Sequence, residues 1–357
     1  MAGTCDEVAA PDDDTTIGGV LRVLSSGAGG AILLALGEGP LRTKALTERV
    51  PGYAPRTTYR YAARLSELGI LARFEESGVP TKVVYTLTEP RGRELFELID
   101  SFAATSLSRL PGGAVSAQAW ASLRRLADLW ESGIVNELCA SERSPTELAR
   151  VRPNLSYHQI NRRARLFVLD DLVCVATQNG PHRRYALSPK ARLWMALVAG
   201  VGRWLLGAPD QSEPRVTAAD VETVLRAALP LVRLPGREGA NIEVSISNGD
   251  RQRAEEGNSI WIAVGPDGML ETSSNPPARS NPPVEQDARI EGRMRGWLAA
   301  ILDGNQSHLR LERDRDLAAS CLHSLYAALS GIHRSPNSIR SRPPQGVARQ
   351  REAPPAA

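Results

Sequence analysis

The 357-residue sequence predicts an α+β chain, with two tandem copies of one helix-and-hairpin unit followed by a small α/β sandwich. Three observations predict it. Apolar landmarks recur in the same order about 100 residues apart. Each copy closes on two short β-like runs around a turn. After Pro214 the pattern changes to alternating strands and amphipathic helices.

The repeat is specific. Leu21 and Leu24 match Leu123 and Leu126, Ile32 matches Ile134, and Leu46 matches Leu148, all at an offset of 102. RLSELGIL from Arg64 faces RLFVLDDLV from Arg165 at 101, and Tyr85 and Leu87 face Tyr185 and Leu187 at 100. A period this long indicates a duplicated domain, not a solenoid of short repeats. In each copy a first helix (Ala31 to Leu36; Ile134 to Cys139) precedes a second that carries Leu46 or Leu148 on its inner face. A turn with Pro51-Gly52 or Pro153-Asn154 leads to a third helix. That helix starts at Pro55 in one copy, suited to a first helical turn, and at Ser156 in the other, suited to an N-cap. The β-like runs LARFEES and KVVYTLT flank Gly78-Val79-Pro80; VCVATQ and RRYALS flank Asn179-Gly180, a strong hairpin signal. Three helices and a hairpin in this order make a winged helix.

The predicted boundaries are a disordered acidic N-terminus (1–16), winged-helix domains at 17–110 and 116–208, an α/β domain at 215–330 and a disordered basic tail (331–357). PDQSEP (209–214) reads as a linker, and the α/β domain holds a proline-rich loop from Asn275 to Pro283.

Composition bounds the function loosely. A net charge of +3 is too small to argue for nucleic acid by itself. Its distribution is more telling: net +1 over 31–100, +6 over 121–204 and −3 over 215–330. Lys44, Lys82 and Lys190 are the only lysines among 43 basic residues. Arginine suits phosphate and guanine contacts, although codon usage in a GC-rich genome explains the bias as readily. The four cysteines lack CxxC spacing, and Cys139 and Cys174 lie in apolar surroundings, as expected of buried thiols in a reducing compartment. The start of the chain lacks the order of a signal peptide and no apolar run is long enough to span a bilayer, so a cytoplasmic protein without membrane contact is expected. No cofactor, metal site or catalytic constellation is expected, and hence no enzyme. Gly27, Gly29 and Gly30 precede a helix, but Ile32 stands where GxGxxG needs its third glycine.

DNA reading needs donors on an exposed helix face that fits the major groove. The first third helix offers Arg56, Thr57, Thr58, Arg60 and Arg64; the second offers Tyr157, His158, Gln159, Asn161, Arg162 and Arg165. Arginine pairs with guanine, and glutamine and asparagine with adenine, so the two helices read unlike half-sites. Lys82 in the first wing and His182, Arg183 and Arg184 in the second are candidate phosphate contacts. The competing reading is a solvated basic face, with Arg162 and Arg163 paired to Asp170 and Asp171. Tyr85 and Tyr185 read as wing-core residues.

The stretch ILLALGEGPLRTKALTERVPGYAPRTTYRYAARLSELGIL, with the wing ending VVYTLTEPRGREL, resembles the HxlR-type winged-helix regulators of the wider MarR-like group. The second copy is diverged but keeps the order and the closing Tyr-x-Leu-Ser. The resemblance implies double-stranded DNA as partner, the third helix in the major groove and the wing along the backbone. It also implies dimeric assembly, which two copies in one chain supply as an intramolecular pseudo-dimer, with a homodimer as a further assembly. ANIEVSIS, SIWIAVGPDGMLE, ARIEGRMRGWLAAILDGN and HLRLERDRDLAASCLHSL resemble the sterol-carrier-protein type 2 fold. That implies an apolar cavity for a small hydrophobic ligand, with Trp261, Trp297, Leu298 and Ile301 as lining residues, each of which reads equally as core. The expected function is a ligand-responsive transcriptional regulator. The rivals are a hydrophobic-ligand carrier or sequestering protein and a protein-interaction module built on winged helices.

Overall fold

The computed structural model describes residues 15–77, 82–106, 117–179, 182–207, 216–247, 258–273 and 286–330. The acidic N-terminus, the wing turn at Gly78 to Pro80, Gly180, the PDQSEP linker, the proline-rich loop and the basic tail lie outside them.

The first unit opens with α1 (Ile17–Ser25) and α2 (Ala28–Leu36). Thr16 caps α1 by accepting from the Gly19 N–H at 3.1 Å. The short strand β1 (Leu41–Arg42), α3 (Thr43–Arg49) and α4 (Pro55–Glu67) follow, then the hairpin β2 (Leu71–Glu76) and β3 (Lys82–Leu87) and the long helix α5 (Arg91–Ser106). β1 pairs with the far side of β3 through Leu41 opposite Tyr85.

The next stretch has the same order: α6 (Ala117–Glu131), α7 (Ile134–Ala140), α8 (Pro145–Val151), α9 (Tyr157–Leu169), the hairpin β4 (Val173–Asn179) and β5 (His182–Leu187), and α10 (Pro189–Leu206). In place of a strand like β1, Arg143 bridges Tyr185 by two backbone hydrogen bonds of 3.0 and 2.8 Å. Small details recur as well. The Thr88 hydroxyl donates to the Gly69 carbonyl at 2.7 Å, and the Ser188 hydroxyl donates to the Asp171 carbonyl at 2.5 Å. The matched landmarks Leu21, Leu24, Ile32, Leu46 and their counterparts Leu123, Leu126, Ile134 and Leu148 are all buried.

Four helices join the two stretches. α1 packs along α6, and α5 packs against α10. Gly30 on α2 makes room for Trp120 of α6: a Cβ there would sit 2.2 Å from the indole ring and 2.7 Å from the Leu24 carbonyl oxygen. Arg22 on α1 is ion-paired with Glu131 on α6. On the other side, the Phe102 and Trp194 rings meet edge to face at 5.0 Å, and the Arg91 guanidinium lies 4.0 Å from the Trp204 ring centroid. The Trp204 indole N–H donates to the Arg91 carbonyl at 2.9 Å.

The last part comprises α11 (Ala218–Ala228), a 3-10 turn over Leu229–Leu231, the strands β6 (Asn241–Ser247), β7 (Asn258–Val264), β8 (Leu270–Ser273) and β9 (Ala288–Arg293), then α12 (Met294–Asp303), β10 (Leu309–Arg313) and α13 (Arg315–Ser330). The sheet order is β10-β9-β6-β7-β8, antiparallel except for the central β6–β9 pair. One sheet face, with Ile242, Val244, Ile246, Ile260, Ile262 and Ile290, is buried against the helices. α11 packs on α7 and α10, and α12 on α10, so one continuous apolar core runs through all three parts. Among the described residues no single helix is long and apolar enough to cross a membrane; the bent pair α1–α2, apolar enough by composition, is largely core.

Candidate nucleic-acid interface

α4 starts where Pro55 fixes the first turn behind an extended Ala54. Thr58, Ala62 and Leu65 recur at helical spacing and are buried, and α4 packs against α2. The opposite face therefore presents Arg56, Tyr59, Arg60 and Ala63 to solvent. Arg56 has no ion-pair partner among the described residues, and Arg60 lies 5.3 Å from the Tyr61 ring centroid. Thr57 is half-buried beside the stripe, and Arg64 is half-buried and engaged within the protein. Thr58 corrects the sequence expectation. It is fully buried and its Oγ1 has no hydrogen-bond partner, because the position one residue short of Tyr59 points at α2.

The wing beside α4 is tied back by the β1–β3 pairing, and the Arg42 guanidinium lies 2.9 Å from Glu76 on β2 as an exposed ion pair. Lys82 stands exposed at the described end of β3, opposite Glu76. Two exposed aromatics escape the sequence reading. Tyr59 is 41% exposed on the α4 stripe and Phe74 is 57% exposed on β2. Tyr59 lies three residues from Arg56, which helical spacing alone places on the same face.

Residues 24–109 match the family model of the HxlR-like helix-turn-helix. No curated protein and no solved structure matches the chain. The match takes in α2 to α5 with the hairpin and stops before α6. It supports a DNA-binding helix-turn-helix of the kind found in transcriptional regulators, and within the HxlR-like unit it covers α4 and the wing.

In the second stretch α9 follows α8 and precedes the hairpin β4–β5, as α4 follows α3 and precedes β2–β3. Its exposed face carries Tyr157, His158, Gln159, Arg162 and Arg165, with Asn161 half-buried at the edge. The Ser156 hydroxyl accepts from the Gln159 N–H at 3.2 Å, while Gln159 Oε1 accepts from the Ser156 N–H at 2.8 Å. Gln159 thus caps its own helix, and the bidentate adenine contact expected of it is blocked on the carbonyl side. Arg162 and Arg165 have no ion-pair partner among the described residues. Asp170 is taken instead by Arg125 at 3.5 Å and by the Ser122 hydroxyl at 3.3 Å.

In the second hairpin Arg183 is exposed, whereas Arg184 is turned inward onto Glu147 at 3.3 Å and the Glu142 carbonyl at 2.8 Å. Glu147 is held below the usual carboxylate range, chiefly by the hydrogen bond from the Ser144 backbone N–H and further by Arg184. Arg184 is therefore a brace between the hairpin and α8, not a free phosphate donor. The side chain of His182 lies outside the described residues. Tyr85 and Tyr185 are buried in their hairpins.

The four residues expected to line a ligand cavity do not line one together. Trp297 and Ile301 are packed core, and the Trp297 indole N–H donates to the Ser245 carbonyl at 3.1 Å. Trp261 lies on the opposite sheet face, because its strand neighbours Ile260 and Ile262 take the buried side. Only Leu298 borders an open cleft, and that cleft lies between helices, not between helices and sheet.

Proposed function

We propose that the chain is a transcriptional regulator that reads double-stranded DNA sequence-specifically through two tandem winged helices. The observation that carries this reading is the outward face of α4. Arg56, Tyr59 and Arg60 stand free of the core on a helix within the matched segment, between an anchored wing and a fixed first turn. The recurrence of the same element order in 117–206, with Arg162 and Arg165 exposed on α9, supports the second reader. The α1–α6 and α5–α10 joints support a pair of readers held in one chain, standing in for a dimer. On this reading the protein is a cytoplasmic, non-enzymatic regulator. Its C-terminal domain responds to a small hydrophobic ligand by shifting one reader against the other, which requires unequal affinity for the two arrangements.

Selection of the full chain against a random duplex pool at two salt concentrations tests this. The expected result is an enriched motif with two unlike half-sites and an affinity that falls steeply with salt. No enrichment, or binding indifferent to salt, overturns it in favour of an interaction module.

A further inference from the structure

Helices α5, α10 and α12 enclose an open cleft of about 620 Å³, within the size range of small-molecule sites. Its walls are apolar at Leu98 on α5, Leu206 on α10, and Leu298, Ala299 and Leu302 on α12. Its charges are unequally satisfied. Arg203 reaches across the α10–α12 join to Asp303, with Nη1 2.5 Å from both carboxylate oxygens. Arg295 donates to the Leu206 carbonyl at 2.8 Å, closing the end of α10. Glu94 and Glu97, one helical turn apart on α5, line the same cleft, are exposed, and have no ion-pair partner among the described residues. The unanswered charge in the cleft is thus negative.

We propose that this cleft binds a small amphipathic cation, an apolar ring system or chain bearing a charged nitrogen. Its apolar body packs on the leucines and its charge sits against Glu94 and Glu97. This moves the ligand site away from the sheet–helix interior, which Trp297 and Ile301 fill, to the place where the C-terminal domain meets the two helices that follow the wings. Binding here bears on the α5–α10 joint, where Gly200 lets Leu98 come close: a Cβ on Gly200 would lie 2.7 Å from the Leu98 methyl groups. The regulatory consequence rests on the DNA-reading function; the binding itself does not.

The test uses the full chain and two fluorescent probes, the cation rhodamine 6G and the anion 1-anilinonaphthalene-8-sulfonate, followed by anisotropy. Rhodamine 6G is expected to bind at one site. Its affinity should fall about tenfold in Glu94→Gln/Glu97→Gln, which removes two charges at partly exposed positions. Ala299→Trp, or Leu302→Trp where the first variant unfolds, should abolish binding by filling the cleft. Equal binding of the cation by the parent and the Glu94→Gln/Glu97→Gln chain, or preferential binding of the anion, overturns the proposal. The same variants are then assayed on selected duplex. Cation binding as expected without an enriched DNA motif keeps the cleft and removes the regulator reading. An enriched motif with unchanged cation binding in the variants does the reverse.

Discussion

The stretches 17–106 and 117–206 share an element order and differ in what they expose. In the first, α4 shows a compact stripe of Arg56, Tyr59 and Arg60, and the matched segment carries little net charge. In the second, the basic excess is larger, but part of it is structural. Arg125 holds Asp170, Arg152 holds Glu137 at 3.4 Å, and Arg184 holds Glu147. Net charge over a segment is therefore a poor measure of the charge available to a phosphate. The lesson is to count arginines by what they touch, which leaves Arg162, Arg165 and Arg183 free on α9 and the second hairpin, with Arg124 and Arg150 exposed elsewhere in the same stretch.

The largest expected effect breaks the joint between the two stretches. Gly30→Ala places a methyl against the Trp120 ring and the Leu24 carbonyl, and neither can yield without opening the α2–α6 contact. We expect a loss of about 3 kcal/mol, at the upper end for overpacking, read as a lower midpoint in urea. Gly30→Ala combined with Trp120→Leu should recover part of that loss. A single variant with unchanged stability would mean that the two stretches do not share a core at this point.

Next come the two proposed reading helices. Arg56→Ala and Arg162→Ala should each weaken selected duplex by about 2 kcal/mol, each relaxing specificity in a different half-site. Thr58→Val, on the buried side of α4, should leave DNA affinity unchanged. If Arg56→Ala and Arg162→Ala relaxed the same half-site, the assignment of one half-site to each stretch would be wrong. The arginines of the second hairpin sharpen the comparison at about half that size. Arg183→Ala should cost about 1 kcal/mol and reduce the slope of log affinity against log salt by about one. Arg184→Ala should leave the slope alone and lower stability instead, since its partners are Glu147 and the Glu142 carbonyl.

Much of this plan was legible in the sequence. Pro55 and Ser156 marked the third helices because a missing N–H and a capping hydroxyl both belong at a helix start, and both helices begin there. The β-like runs fell on the hairpins for the same local reason. α1 and α10 were not predicted as elements: α1 is only nine residues long and carries Gly18 and Gly19 in its first turn, which weakens the helical signal, and α10 is buried over much of its length, which blurs its apolar stripe. β9 escaped because its partners are the distant β6 and β10, and a parallel pairing leaves no turn signal nearby. At the candidate site, Arg56 and Arg60 were expected on an exposed helix face and stand there, but the sequence did not say which flank of the helix α2 would cover, and Thr58 was placed on the wrong one. Trp261 was misplaced although the signal was there: strict alternation with Ile260 and Ile262 assigns it to the other face of the sheet.

The smallest prediction bears on how far the two stretches are equivalent. After α4 the chain turns through Gly69 at φ +71°, and after α9 it turns through Asp171 at φ +56°. These residues are 102 apart, and each offers its carbonyl to the hydroxyl that follows its hairpin. The left-handed conformation is free for glycine and tolerable for aspartate, so the second stretch keeps the turn while carrying a modest strain. A Cβ on Gly69 would meet nothing within 4 Å, so substitution there probes the backbone alone. Asp171→Gly should gain, and Gly69→Asp should lose, about 0.5 kcal/mol by chemical unfolding. Opposite signs of similar size would establish the two turns as one structural position occupied twice. A loss of several kcal/mol at Gly69 would show instead that the first turn is under a constraint the second has shed.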